Sequence, residues 1–145
     1  MPDKSFQYTV AFPQFDTPQG PVWLPLVTVT LIQSNGNRID LPLMFDTGAS
    51  VTTLRHDLYF ALGVSAWNVG QPVQTQTAGG VSTVYQYDNV NIELLGKAVT
   101  CPVQLNEHLP AGLPWMGLLG RATIFEQFGF GFWESARALY VTTNP

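Results

Sequence analysis

The amino-acid sequence predicts an all-β domain of mostly antiparallel strands with one or two short helices. Three observations carry that expectation. Alternating or β-branched segments recur along the whole chain, Gly and Asn-Gly turn signals separate them, and apolar residues at helical spacing are scarce. With 145 residues the chain has room for one real core but not for two large lobes. It contains no internal repeat, linker or low-complexity tract, so residues 1–145 read as a single domain.

Phe6 to Phe12 alternates and is rich in aromatics. Val22 to Ile32 carries the run V-T-V-T-L-I, and Asn35-Gly36 then signals a hairpin turn back into Arg38 to Phe45. Pro25 and Pro42 fall inside these two strands, which places them at edges or bulges. Thr52 to Leu54 reads as a short buried strand. Asp57 to Leu62 reads as one short helix, with an acid in its first turn and Gly63 as its stop. Val73 to Tyr87 forms two strands around Gly79-Gly80, Asp88-Asn89 a turn, and Val90 to Leu95 and Ala98 to Leu105 a further hairpin around Gly96-Lys97. Glu107 to Pro114 is a loop. A second helix is expected at Arg121 to Phe128, and Phe128 to Trp133 with Leu139 to Thr143 closes the chain as a last hairpin.

Composition narrows the function. Charged residues make up 11% of the chain, against roughly 25% in ordinary soluble proteins. That deficit predicts a surface covered by another subunit. Ten acidic against six basic residues leave no Lys/Arg stripe for nucleic acid. One cysteine, Cys101, cannot form an internal disulfide framework, and His56 and His108 alone cannot build a usual zinc site. No cofactor or metal is expected. No apolar run is long enough to span a bilayer, and MPDKSFQYTV lacks the layout of a signal peptide, so the expected location is cytoplasmic.

The chemistry concentrates after an apolar strand. Leu41-Pro42-Leu43-Met44-Phe45 runs straight into Asp46-Thr47-Gly48-Ala49-Ser50. A carboxylate at the end of such a strand is partly buried, so it must be hydrogen-bonded, paired or protonated. Gly48 permits a tight turn and close approach of another group. A plain strand-end turn, with Asp46 accepting local N–H bonds, is the structural alternative. Far downstream, Leu118-Leu119-Gly120-Arg121 is a second apolar run ending in Gly, and between the two lies the glycine tip Thr77-Ala78-Gly79-Gly80-Val81.

This order resembles the retropepsin-like aspartic proteases, the single-domain relatives of retroviral protease, over roughly Val22 to Phe128. Phe45 to Ser50 is similar to the catalytic loop. Residues 73–87 are similar to the flap, with Ala78, Gly79, Gly80 and Val81 at its tip. Gln86-Tyr87-Asp88 and the strands through Val103 match the stretch that follows, and residues 118–128 resemble the Gly-Arg segment and C-terminal helix. The resemblance implies a closed or partly open antiparallel β-barrel of the acid-protease type, one lobe per chain.

It also implies a mechanism. Two carboxylates must lie so close that both cannot ionise; one acts as general base on a water, the other as general acid. This chain has one Asp-Thr-Gly. Asp16-Thr17-Pro18 cannot substitute, because proline removes an N–H and fixes φ. The second carboxylate is therefore expected from Asp46 of a second copy, in a homodimer acting on a peptide or protein substrate. By resemblance, Thr47 ties the two loops together, the backbone around Gly48 binds the substrate main chain, and Ala78 to Val81 close over an extended peptide. Val81, Val84 and Leu118 are either pocket walls favouring apolar side chains or ordinary core. Gly120 and Arg121 support the loop.

Two departures stand out. Ala49 follows the triplet where pepsin-like relatives usually carry Ser or Thr, so the ionised pair loses one stabilising hydrogen bond and a mildly acidic optimum is expected. The position that would pair Arg121 in retroviral enzymes is Ser50, so Arg121 needs another partner: Asp57, Glu126 or backbone carbonyls. The C-terminal stretch Phe128 to Pro145 exceeds the retroviral ending and looks more like cellular and bacterial members. A dimeric binding or assembly module with little proteolytic activity, or an unrelated β-barrel with a coincidental triplet, are the rival readings. His56 reads as a helix-entry surface residue, His108 as a solvated loop residue, Cys101 as a small buried hydrophobe, and Trp23, Trp67, Trp115 and Trp133 as packing residues.

Overall fold

The computed structural model describes residues 6–77 and 80–145. Among the described residues twelve strands form: β1 Tyr8–Ala11, β2 Gln14–Thr17, β3 Gly20–Trp23, β4 Leu26–Ile32, β5 Arg38–Phe45, β6 Thr52–Arg55, β7 Gln71–Thr77, β8 Gly80–Leu94, β9 Lys97–Asn106, β10 Gly117–Leu119, β11 Gly129–Trp133 and β12 Ala138–Thr142. A 3₁₀ helix spans His56–Leu62, and one α-helix, α1, spans Ile124–Gln127. The chain is thus all-β with two short helical pieces, as its pattern of alternation and turns requires.

Seven strands pair in the order β4-β5-β10-β6-β9-β8-β7, and an extra β4–β8 pairing closes them into a ring that leaves only β7 outside. The closing pairs are Thr30↔Glu93, Leu31↔Ile92 and Ile32↔Asn91. An Arg38–Glu93 ion pair crosses the same seam. Inside the ring, alternate residues of each strand form the core: Val27, Val29 and Leu31 of β4, Leu41, Leu43 and Phe45 of β5, Ile92 and Leu94 of β8, Cys101, Val103 and Leu105 of β9. A second sheet, β1-β12-β11, packs beside it through Leu139 and Val141 of β12, with Phe128, just before β11, in the same core. β2 and β3 form a separate hairpin.

Several sequence expectations change here. Val22 to Ile32 is not one strand: Leu24 and Pro25 break it, so β3 pairs with β2 and β4 with β5. Pro42 is at neither an edge nor a bulge: β5 lies between β4 and β10, its register with β4 is unbroken through Thr28↔Pro42, and the Pro42 carbonyl accepts from Met116 N–H at 2.8 Å just before the β5–β10 ladder begins at Met44. Asp88-Asn89 is not a turn. β8 runs through it, and a register shift between Tyr87 and Val90 absorbs one extra residue as a bulge. The turn that follows β8 lies at Leu95-Gly96, both at positive φ (50° and 83°), one residue earlier than expected. The helix expected at Arg121 to Phe128 is shorter, because Thr123 sits at φ 67°, outside the helical region, so α1 begins only at Ile124; the Arg121 and Ala122 N–H groups go to the Ala49 and Ser50 carbonyls. Lys97 Nζ then caps that end, donating to Gln127 O at 2.6 Å and Thr143 O at 2.9 Å.

The antiparallel expectation also needs one amendment. β10 pairs parallel with β5, and β6 pairs parallel with β9. β5 and β6 flank the Asp-Thr-Gly loop but do not pair with each other; β10 lies between them. The segment Leu118 to Arg121 is thereby inserted beneath the loop that carries Asp46.

Candidate active site

Asp46 emerges where β5 leaves its ladder. Its backbone N–H donates to Leu119 O at 3.3 Å, extending the β5–β10 pairing by one residue. The loop then turns on itself: Asp46 Oδ1 accepts from Gly48 N–H at 2.8 Å, and Asp46 O accepts from Ala49 N–H at 3.3 Å. This is the Asx-type turn that the plain structural reading also expects. A Cβ on Gly48 would stand 3.2 Å from Asp46 Oδ1, so glycine lets the amide reach the carboxylate. Among the described residues, Oδ2 receives no hydrogen bond. Asp46 is half-buried, while Thr47, Gly48 and Ser50 are exposed.

The far side of the loop is clamped. Arg121 N–H donates to Ala49 O and Ala122 N–H to Ser50 O, each at 2.9 Å. Gly120 N–H donates to Thr52 Oγ1 at 3.1 Å in a fully buried position. There is no space for a side chain at Gly120, where a Cβ would fall 2.3 Å from the Val51 carbonyl carbon. The sequence reading missed Thr52; a buried hydroxyl in the apolar run T-T-L was its only signal. Phe45, next to Asp46, stacks on Phe125 (5.5 Å, 10°) and tilts against Phe130 (4.9 Å), which fixes the end of β5 from below.

Gly80 and Val81 begin β8 at the free end of the β7–β8 hairpin; Ala78 and Gly79 lie outside the described residues. Val81 is 65% exposed, Val84 is buried apart from the main core, and Leu118 is half-buried beside Met44 and Thr53. The hairpin base carries a feature the sequence did not reveal. The Tyr87 hydroxyl donates toward Trp67 O (2.9 Å) and Ala66 O (3.3 Å) and accepts from Gly70 N–H (3.0 Å). It clasps the chain entering β7 to the chain leaving the hairpin. A Cβ on Gly70 would collide with Gln86 O at 2.6 Å.

Arg121 does not find the side-chain partners considered for it. Asp57 is taken by Arg55 (3.0 and 3.2 Å), and the exposed Arg121 guanidinium makes no ion pair among the described residues. His56 is not a plain surface residue: its ring edge meets Trp67 at 5.4 Å and its Nδ1 is buried without a partner. Burial pushes the Cys101 thiol up to about 12, which leaves it an inert core group. Asp16-Thr17 sits in the β2–β3 hairpin, where Thr17 Oγ1 donates to Gly20 O. Among the described residues no group of three His, Cys, Asp or Glu side chains is placed to hold a metal ion, and no helix is long and apolar enough to cross a membrane.

A family model described as aspartyl protease matches residues 27–123, from the first core residues of β4 through the clamp that holds the Asp46 loop. The chain belongs to the retropepsin-like aspartyl protease family. No curated protein matches it.

Proposed function

We infer that this protein is a homodimeric aspartic endopeptidase whose two Asp46 carboxylates, one from each copy, share a proton and activate a water between them. The single observation that supports this best is the Asp46 loop: one carboxylate, oriented through Oδ1 by Gly48 N–H and with no hydrogen bond to Oδ2 among the described residues, on a turn clamped by Arg121 and Ala122. The ionised carboxyl takes a proton from the water as it attacks the peptide carbonyl. The protonated partner gives its proton to the carbonyl oxygen, and proton transfer to the amide nitrogen then releases the amine. Thr47 braces the two loops and the backbone around Gly48 holds the substrate main chain. The β7–β8 hairpin, with Ala78, Gly79, Gly80 and Val81 at its end, covers an extended and mainly apolar peptide. Val81 and Leu118, which keep exposed surface, are the better candidates for pocket walls; Val84 at 1% exposure is packing.

The Arg121 guanidinium, without an ion pair among the described residues, favours a second reading, a dimeric binding or assembly module on the same fold. Asp46→Asn separates the two. On a peptide library the variant loses about a hundred- to ten-thousandfold in cleavage rate if Asp46 is the acid–base group. Equal cleavage by variant and wild type ends the protease reading. A peptide mimic with a central hydroxyl in place of the scissile carbonyl binds wild type and not Asp46→Asn, because the hydroxyl replaces the attacking water.

A further inference from the structure

We propose that Gln104 and Thr53 form a polar subsite on the sheet face that carries Asp46, and that it selects a substrate residue with a side-chain amide, Asn or Gln. This rests on the reading of Asp46 as the acid–base group of a peptidase and adds a substrate class to it.

Sheet register places the subsite. Phe45, Leu119, Leu54 and Leu105 belong to the core. The residues just before them, Met44, Leu118, Thr53 and Gln104, therefore point to the opposite face. These four are in register across β5, β10, β6 and β9: Met44↔Leu118, Leu118↔Thr53 and Thr53↔Gln104. Gln86 of β8 continues the row beside Gln104. All five are half-buried, so the row keeps surface for a ligand. Asp46, one residue past Phe45, alternates onto the same face as Met44, and its N–H still bonds Leu119 O. The row thus runs from the strand that carries Asp46 to the root of the β7–β8 hairpin.

The row starts apolar and ends polar, and its hydrogen bonds fix which polar atoms it offers. Gln86 Nε2 donates to Asp88 Oδ1 at 2.8 Å. A carboxylate only accepts, so Gln86 turns its N–H groups toward Asp88 and its oxygen away. That oxygen accepts from Gln104 Nε2 at 2.9 Å. Gln104 Oε1 is left over and accepts no hydrogen bond among the described residues. Beside it, Thr53 spends its hydroxyl hydrogen on Val51 O at 3.0 Å and keeps its lone pairs. Two neighbouring positions thus both present acceptors, and neither is charged. Their complement is an uncharged donor. A side-chain amide brings two N–H groups, one for each oxygen. An aliphatic side chain would desolvate both acceptors without a partner, and a Lys ammonium would trade its hydration for uncharged oxygens.

The experiment digests a peptide library, varied one position at a time, with wild type, Gln104→Leu, Gln104→Glu and Thr53→Val, each checked for folding by circular dichroism. Asp46→Asn is the inactive reference. At one position wild type is expected to favour Asn or Gln over Leu by at least about tenfold in kcat/KM. Gln104→Leu is expected to lose that preference, Thr53→Val to weaken it several-fold, and Gln104→Glu to shift it toward Lys or Arg. A merely structural role would lower cleavage of all peptides alike. A wild type with no amide preference at any position overturns the subsite without any substitution. So does a preference that survives in folded Gln104→Leu and Gln104→Glu or, where these do not fold, unchanged in Thr53→Val. If wild type cleaves no more than Asp46→Asn, the protease reading fails, and fluorescence anisotropy of the same peptides on wild type decides the subsite separately. Amide-selective binding keeps it; binding that is absent or blind to the side chain sinks it.

Discussion

Gly120 is the residue on which the loop geometry turns. Its N–H bonds Thr52 Oγ1, and the Val51 backbone occupies the space a side chain would need. Gly120→Ala is expected to lower stability by about 1–3 kcal/mol through overpacking, seen as a shift in the urea midpoint, and to cut cleavage further by displacing Ala49 and Ser50. Thr52→Val keeps the shape but orphans a buried N–H, for a loss of about 1–3 kcal/mol. Unchanged midpoints in both variants would show that the clamp is slack. The role of Gly120 as loop support was an expectation from the motif Leu118-Leu119-Gly120-Arg121; its contact with Thr52 was not, since nothing in the sequence states that residues 68 positions apart share a hydrogen bond.

At the scale of elements, the β7–β8 hairpin is long and its free end reaches away from the ring, so its orientation depends on its base. Tyr87 clasps that base through one hydroxyl that meets Trp67, Ala66 and Gly70. Tyr87→Phe keeps the ring and removes the clasp. It is expected to raise KM for peptide several-fold with a smaller change in kcat, because the hairpin must be ordered at the cost of binding energy. A purely structural role would lower the thermal midpoint and leave KM unchanged at temperatures where the protein is folded. The hairpin itself was evident from β-branched runs around Gly79-Gly80. The continuous β8 was not, because Asp88-Asn89 carries turn chemistry locally and becomes a bulge only when β9 pairs on both sides of it.

At the scale of the whole molecule, the proposed two-copy site, with one Asp46 carboxylate from each copy, predicts that activity and association rise and fall together. The proposed shared proton predicts a bell-shaped pH profile. Lowering pH protonates the base of the pair, raising it ionises the acid, and activity falls on both sides. With Ala49 offering no hydroxyl to the ionised pair, the maximum is expected at mildly acidic pH. A profile of kcat/KM still rising below about pH 3 contradicts this. Dilution below the dimer dissociation constant should remove activity without unfolding the chain, which combined sedimentation and circular dichroism would register.

Local chemistry in the sequence determined the strands, the turns at Asn35-Gly36 and Gly63, the single Asp-Thr-Gly after an apolar strand, and hence the family. These depend on alternation, φ preferences and residue order, all of which act between near neighbours. Tertiary structure alone decided that β10 threads between β5 and β6, parallel to β5, that Thr52 and Tyr87 hold the loop and the hairpin, and that Asp57 belongs to Arg55. Each of those joins residues far apart in the chain, and their pairing is selected by burial and geometry across the closed ring rather than by the identity of either partner.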